Sequence, residues 1–256
     1  MKSFKRPGRA AAAIALLLAL FLLTACQSQV QPETGPAPEP SPTASPSPTP
    51  EPMPALPDID IESWEYILAN SYNSIHVYEP MYGGIGGQGI DSRIVDAVSE
   101  LLQGARDAGY QAYVAVAYRN FEYLLNHYIY EINDQGSAAE AAAVRLPPGC
   151  NEHQTGLAID MTDDYDYNAT FLHQFTNEGF EDSELYQWLL EHCQEYGFIL
   201  RYPEGKEDYY GTACCPGHFR YVGKEAAEYI MENDLCLEEF LLLYDENAVY
   251  LPEKAA

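Results

Sequence analysis

Three residues of this chain have the types expected of a zinc-ligand set. His153 and Asp160 lie in Asn151-Glu152-His153-Gln154-Thr155-Gly156-Leu157-Ala158-Ile159-Asp160, and His218 heads His218-Phe219-Arg220-Tyr221-Val222-Gly223. Two imidazole nitrogens and one carboxylate oxygen suit zinc and leave one coordination position for water. Such a site serves hydrolysis only if regular elements hold the three side chains to one point.

The surrounding pattern supplies such elements. Ile94, Val95, Val98, Leu101, Leu102 and Ala105 recur at helical spacing behind the capping residues Asp91 and Ser92, and Gly109 closes the segment. Residues 111 to 119 alternate and are rich in Val and Tyr, which predicts a strand. Leu185, Trp188, Leu189 and Cys193 form a second helical stripe stopped at Gly197, with a strand predicted over Phe198 to Tyr202. His153 to Met161 and His218 to Val222 read as short strands, so the ligands are expected on or beside a sheet. The expected class is α+β: a single domain with a small, mainly antiparallel sheet packed against helices and a zinc site on the sheet.

Composition divides the chain into three parts. Residues 1–25 read as a lipoprotein signal peptide: Lys2, Lys5, Arg6 and Arg9 precede an apolar run that ends in Leu23-Thr24-Ala25-Cys26, and that run is short for a membrane span, which needs roughly 20 residues. The tetrapeptide resembles a bacterial lipobox, which implies lipid on Cys26, anchorage to the bacterial cell membrane and an extracytoplasmic location for the rest of the chain. Residues 26–57 are the lipidated Cys and a linker of Pro, Ser, Thr, Glu and Ala with little to bury, expected to be an extended spacer. Residues 58–256 are tyrosine-rich with apolar periodicity throughout, ample for one hydrophobic core. A formal net charge of −26 excludes a nucleic-acid surface, since phosphate binding depends on Lys and Arg.

Several blocks in order carry a resemblance. Asn151 to Met161, Tyr196 to Pro203 and His218 to Gly223, with Val114 to Asn120 and Asp91-Ser92-Arg93-Ile94, resemble the blocks of VanY-type D-alanyl-D-alanine carboxypeptidases, zinc peptidases of cell-wall metabolism. The resemblance spans most of the chain after Asp58. It implies zinc held by His153, Asp160 and His218, and peptidoglycan stem peptides as substrate, cleaved with D,D or L,D specificity. It further implies Arg119 paired with the terminal carboxylate, for which a guanidinium fork is suited, and Asn151, where the family has serine, as a second substrate contact.

The departures fall where the family's catalysis lies. Its Glu-Pro-Trp-His becomes Cys215-Pro216-Gly217-His218, so Cys215 occupies the position of the general base. General acid–base catalysis contributes roughly 10²- to 10⁴-fold, and its loss raises the alternative of a homologue that binds stem peptides without cleaving them. Ala117 for serine, Leu124 for glutamine and Gly217 for tryptophan also alter the pocket. Three readings of Cys215 stay open: a disulfide at the rim from Cys150 to Cys214 or Cys215, Cys215 thiolate as a fourth zinc ligand, or proton transfer by another acid, Glu152 or Glu207.

Overall fold

The computed structural model describes residues 54–163 and 179–252. The expected signal peptide, Cys26 and most of the expected linker lie outside the described residues. Residues Glu51–Ala256 form one compact unit. Ordered contacts begin before Asp58: Tyr229 Oη donates to the Pro54 carbonyl at 3.3 Å and Tyr244 Oη to that of Pro57 at 2.7 Å. No helix among the described residues is long and apolar enough to cross a membrane.

A hairpin opens the fold, with β1 (Tyr82–Ile85) antiparallel to β2 (Gln88–Asp91). Asp91 caps a 3-10 turn by accepting from the Arg93 N–H, and the long helix α1 (Val95–Asp107) follows it. Then come β3 (Tyr113–Val116), α2 (Phe121–Gln135), α3 (Ala138–Val144) and β4 (Ala158–Thr162). The remainder is α4 (Glu184–His192), β5 (Phe198–Leu200), α5 (Glu207–Tyr210), β6 (His218–Tyr221), α6 (Lys224–Glu232) and α7 (Leu237–Leu242).

Four strands make an antiparallel sheet in the order β3-β4-β6-β5. Strand periodicity sends alternate side chains to opposite faces. Ile159 and Met161 of β4, Phe219 of β6, and Phe198 and Leu200 of β5 share one core with Ile94, Val98, Leu101 and Ala105 around α1 and with Leu185 and Leu189 of α4. Ile199 and Val222 join a second core with Ala227 and Ile230 of α6 and Phe240 and Leu241 of α7. The expected α+β class and the antiparallel sheet are therefore as observed.

The predicted strand from 111 to 119 is shorter, because its backbone changes partners. A register shift falls between Val114 and Val116, which still pairs with Asp160 of β4, and beyond it the Tyr118 N–H donates to the Gly89 carbonyl and the Arg119 N–H to the His153 carbonyl.

Candidate active site

The sequence brings the three ligand candidates together by two local devices. Asp160 and His218 are direct cross-strand partners of β4 and β6, so the register of the sheet places their side chains side by side. His153 is not on a strand. It sits in a 3-10 turn over Glu152–Thr155, whose N-cap Asn151 accepts the His153 N–H at 3.0 Å through Oδ1. Gly156 ends the turn at φ +73°, where a Cβ would meet Pro80 Cγ at 2.9 Å and the Asp91 backbone nitrogen at 3.0 Å. The chain can thus swing from the turn into β4 only with glycine there.

The geometry is that of a metal site. His153 Nε2 lies 3.2 Å from Asp160 Oδ2, and His218 Nδ1 lies 2.7 Å from Asp160 Oδ1. All three residues are buried, and their ligand atoms lie within 4.8 Å of one another. The imidazole rings meet edge to face at 4.8 Å, and the Tyr202 ring lies 5.0 Å from that of His218. Burial raises the energy of the Asp160 carboxylate, but His153 and His218 outweigh it and hold the carboxyl well below its usual range. Burial likewise opposes charge on His218, yet Asp160 and Glu152 push it up to about 9. Among the described residues, His153 Nδ1 and His218 Nε2 are two of the buried polar atoms without a hydrogen-bond partner. Two imidazoles converging on one carboxylate in a buried pocket fit zinc by donor type and by placement.

Comparison with known proteins decides the family. The model of the VanY D-alanyl-D-alanine carboxypeptidases matches residues 87–224, a span that holds all three ligand candidates and Arg119. The chain belongs to the VanY family. A D-alanyl-D-alanine carboxypeptidase of Enterococcus faecalis is 36% identical over 192 residues, covering 71% of this chain and 67% of that protein. A solved structure of VanYB in complex with D-alanine-D-alanine is 34% identical at a TM-score of 0.59, covering 72% of this chain and 100% of that one. A point mutant of the vancomycin-resistance D,D-pentapeptidase VanY in complex with Zn(II) is 35% identical at a TM-score of 0.57, covering 70% of this chain and 99% of that one.

Around this VanY site the other sequence candidates separate. Arg119 is beside it, tied by its backbone N–H to the His153 carbonyl at 3.1 Å. Its guanidinium donates to Gln88 Oε1 at 3.2 Å and lies 5.2 Å from the Tyr123 ring. Gln88 in turn donates to the Ala115 carbonyl at the register shift in β3, so the hairpin steadies Arg119. Nothing in the sequence signals that link, because Gln88 shares no block with Arg119. Asn151 uses its side-chain oxygen as the cap of the ligand turn. Leu124 and Ala117 are buried in the interior.

The cysteine expectations are corrected. Cys150, Cys193, Cys214, Cys215 and Cys236 are all free thiols, and no bridge joins Cys150 to Cys214 or Cys215. The Cys150 thiol lies beside the Ser74 side chain, whereas exposed Cys214 lies among the charges of Glu204, Glu207 and Glu181. Cys215 does not belong to the three-residue cluster that could hold a metal. Burial, and then the charge of Asp160, push its thiol up to about 12, so in the protein alone it is a neutral S–H at pH 7 and a poor proton acceptor.

Both acids named for proton transfer are engaged by other partners. Glu207 accepts from the Gly205 N–H at the start of α5. Glu152 is buried behind the ligands, where its Oε1 accepts from Arg201 Nε at 2.8 Å and from Arg220 Nη1 at 2.6 Å. Burial disfavours its charge, but Arg201 and Arg220 outweigh that and keep the carboxyl far below its usual range. Arg201 is held on its other side by Glu238. Residues Arg201, Arg220 and Glu238 carried no signal in the sequence beyond the presence of the first two in the family blocks.

Proposed function

We propose that this chain is a zinc-dependent D-alanyl-D-alanine carboxypeptidase that removes the C-terminal D-alanine from peptidoglycan stem peptides. The observation that carries the proposal is the buried cluster of His153, Asp160 and His218, joined to Arg119 through a single backbone hydrogen bond. His153, Asp160 and His218 hold the zinc. When bound, the metal polarises the scissile carbonyl and lowers the pKa of water. Arg119 receives the terminal carboxylate on its guanidinium fork, and its tie to His153 sets the distance between carboxylate and scissile bond. The buried walls formed by Tyr202 and the sheet keep bulk solvent from the ligands.

Cys215 supports a second reading, because its neutral thiol stands where the family has its general base. In that reading the same residues bind stem peptides without cleaving them. Release of D-alanine by the zinc-loaded full-length chain separates the two, with a stem pentapeptide and a tetrapeptide as substrates. Turnover abolished by His218→Ala supports the enzyme, and the preferred peptide assigns D,D or L,D specificity. Cys215→Glu is expected to raise the rate by roughly 10²- to 10⁴-fold. No release from either peptide by the unmodified chain, with activity in Cys215→Glu, refutes the enzymatic reading in favour of the binding one.

We also propose that Cys26 carries lipid and that the chain is anchored at the outer face of the bacterial cell membrane, with residues 26–57 as spacer. Support comes from the basic start, the apolar run and Leu23-Thr24-Ala25-Cys26. Incorporation of a labelled fatty acid, lost in Cys26→Ser, is the expected result. An unlabelled wild-type chain would overturn it.

A further inference from the structure

We propose that Glu152 is a positioning residue of the zinc site: its Oε2 holds His218 in the tautomer with a proton on Nε2, so that Nδ1 is the metal-ligating nitrogen. The inference rests on the zinc reading above and concerns how that site is held.

A neutral imidazole has one N–H and one lone pair, and a metal takes the lone pair. His218 Nδ1 is the nitrogen that faces the cluster, at 2.7 Å from Asp160 Oδ1. The proton therefore belongs on Nε2, which is buried and needs an acceptor. Among the described residues, the buried side-chain polar atoms without a hydrogen bond are Arg145 Nε, Glu152 Oε2, His153 Nδ1 and His218 Nε2. Glu152 Oε2 and His218 Nε2 face each other at 3.7 Å, an ion-pair distance. One is an acceptor without a donor and the other a donor without an acceptor.

The rest of the arrangement favours this pairing. Both guanidinium contacts to Glu152 fall on Oε1, from Arg201 Nε and Arg220 Nη1, which leaves Oε2 for the histidine. Arg220 is fixed in turn by its Nη2, which donates to the carbonyls of Glu65 and Ile67 at 2.8 Å each. Glu152 cannot turn to offer Oε1 to His218 without breaking two charge-assisted bonds. The Tyr202 ring lies against the imidazole and opposes its rotation. Because Glu152 and His153 are consecutive in the 3-10 turn, one turn delivers both a ligand and the partner of another ligand. Outer partners of this kind fix the tautomer and the ring orientation of a ligating histidine.

The test uses the full-length chain in detergent, labelled with ¹⁵N and loaded with zinc. Long-range proton–nitrogen correlation is expected to show a protonated Nε2 and a metal-bound Nδ1 on His218. Chelator competition is expected to show zinc bound roughly 10- to 100-fold more weakly by Glu152→Gln, with Glu238→Gln within about twofold of wild type. Glu238→Gln removes charge from the same arginine cluster without touching His218, so a purely structural role for Glu152 would weaken both variants alike. Zinc on Nε2 of His218, or equal loss of affinity in both variants, overturns the proposal. Should Glu152→Gln fail to fold, Glu152→Asp, which keeps the charge but draws the carboxylate back from His218, is read in the same competition, and zinc affinity within about twofold of wild type overturns the proposal. Failure of the wild-type chain to take up zinc would overturn the zinc reading, and this inference with it.

Discussion

Replacing Glu238 by Gln should destabilise the domain strongly while leaving its chemistry in place. Glu238 is fully buried and accepts from Arg201 Nη1 at 2.8 Å, from Arg201 Nη2 at 2.5 Å and from Asn70 Nδ2 at 2.7 Å. The cluster is neutral as built, with Arg201 and Arg220 balanced by Glu152 and Glu238, all four buried. Glutamine removes one negative charge and turns an amide donor toward a guanidinium donor, so one positive charge is left uncompensated in the interior. Breaking a buried pair in this way costs about 3–5 kcal/mol. Unfolding entropy near 2.1 cal/mol/K per residue, over a unit of roughly 200 residues, converts that cost to a fall in Tm of about 7–12 °C. Urea unfolding followed by tryptophan fluorescence, with thermal unfolding beside it, measures both quantities. A loss under about 1 kcal/mol would refute the reasoning, since it would mean that water or a neighbouring acid compensates Arg201 and that the cluster is not closed.

The site itself yields two further predictions. Arg119→Lys retains charge but loses the planar fork, so the Michaelis constant for a stem peptide should rise with little change in kcat; a charge-assisted bond of about 1.5–3 kcal/mol corresponds to roughly 10- to 150-fold in kcat/KM. An unchanged KM would remove Arg119 from the carboxylate contact. In the metal-free protein, His218 titrates at about 9, above its unfolded value near 6.5, because Asp160 and Glu152 outweigh the effect of burial. The resulting stability, of order 3 kcal/mol, is present in full below about pH 6.5 and is lost as pH rises through about 9. Denaturation midpoints in chelator at pH 6 and pH 9.5 test this, and equal midpoints would refute it; with zinc bound, the loss should disappear.

The cysteines show where sequence reasoning stopped. Their number and spacing beside two ligand histidines made a rim disulfide plausible, yet spacing along the chain says nothing about thiol direction. In the fold the Cys150 thiol turns to Ser74 and Cys214 faces a group of glutamates. Glu152 shows the same limit from the other side. Its position next to His153 suggested a base, and the 3-10 turn sends consecutive side chains to different partners, so the carboxylate lies behind the ligands with two arginines.

By itself the sequence determined the ligand types, their order and the α1 and α4 helical stripes, while the family resemblance pointed to Arg119 as the proposed partner of the carboxylate and to Cys215 at the position of the general base. These are legible because periodicity, composition and motif order are properties of the chain alone. The tertiary structure alone decided which nitrogen of His218 faces the cluster, that Gln88 steadies Arg119, and that Arg201, Arg220, Glu152 and Glu238 close into one neutral buried group. Those relations join residues far apart in the chain, and a charge or a lone pair acquires its partner only when the sheet register and the helix packing bring the two within a few ångströms.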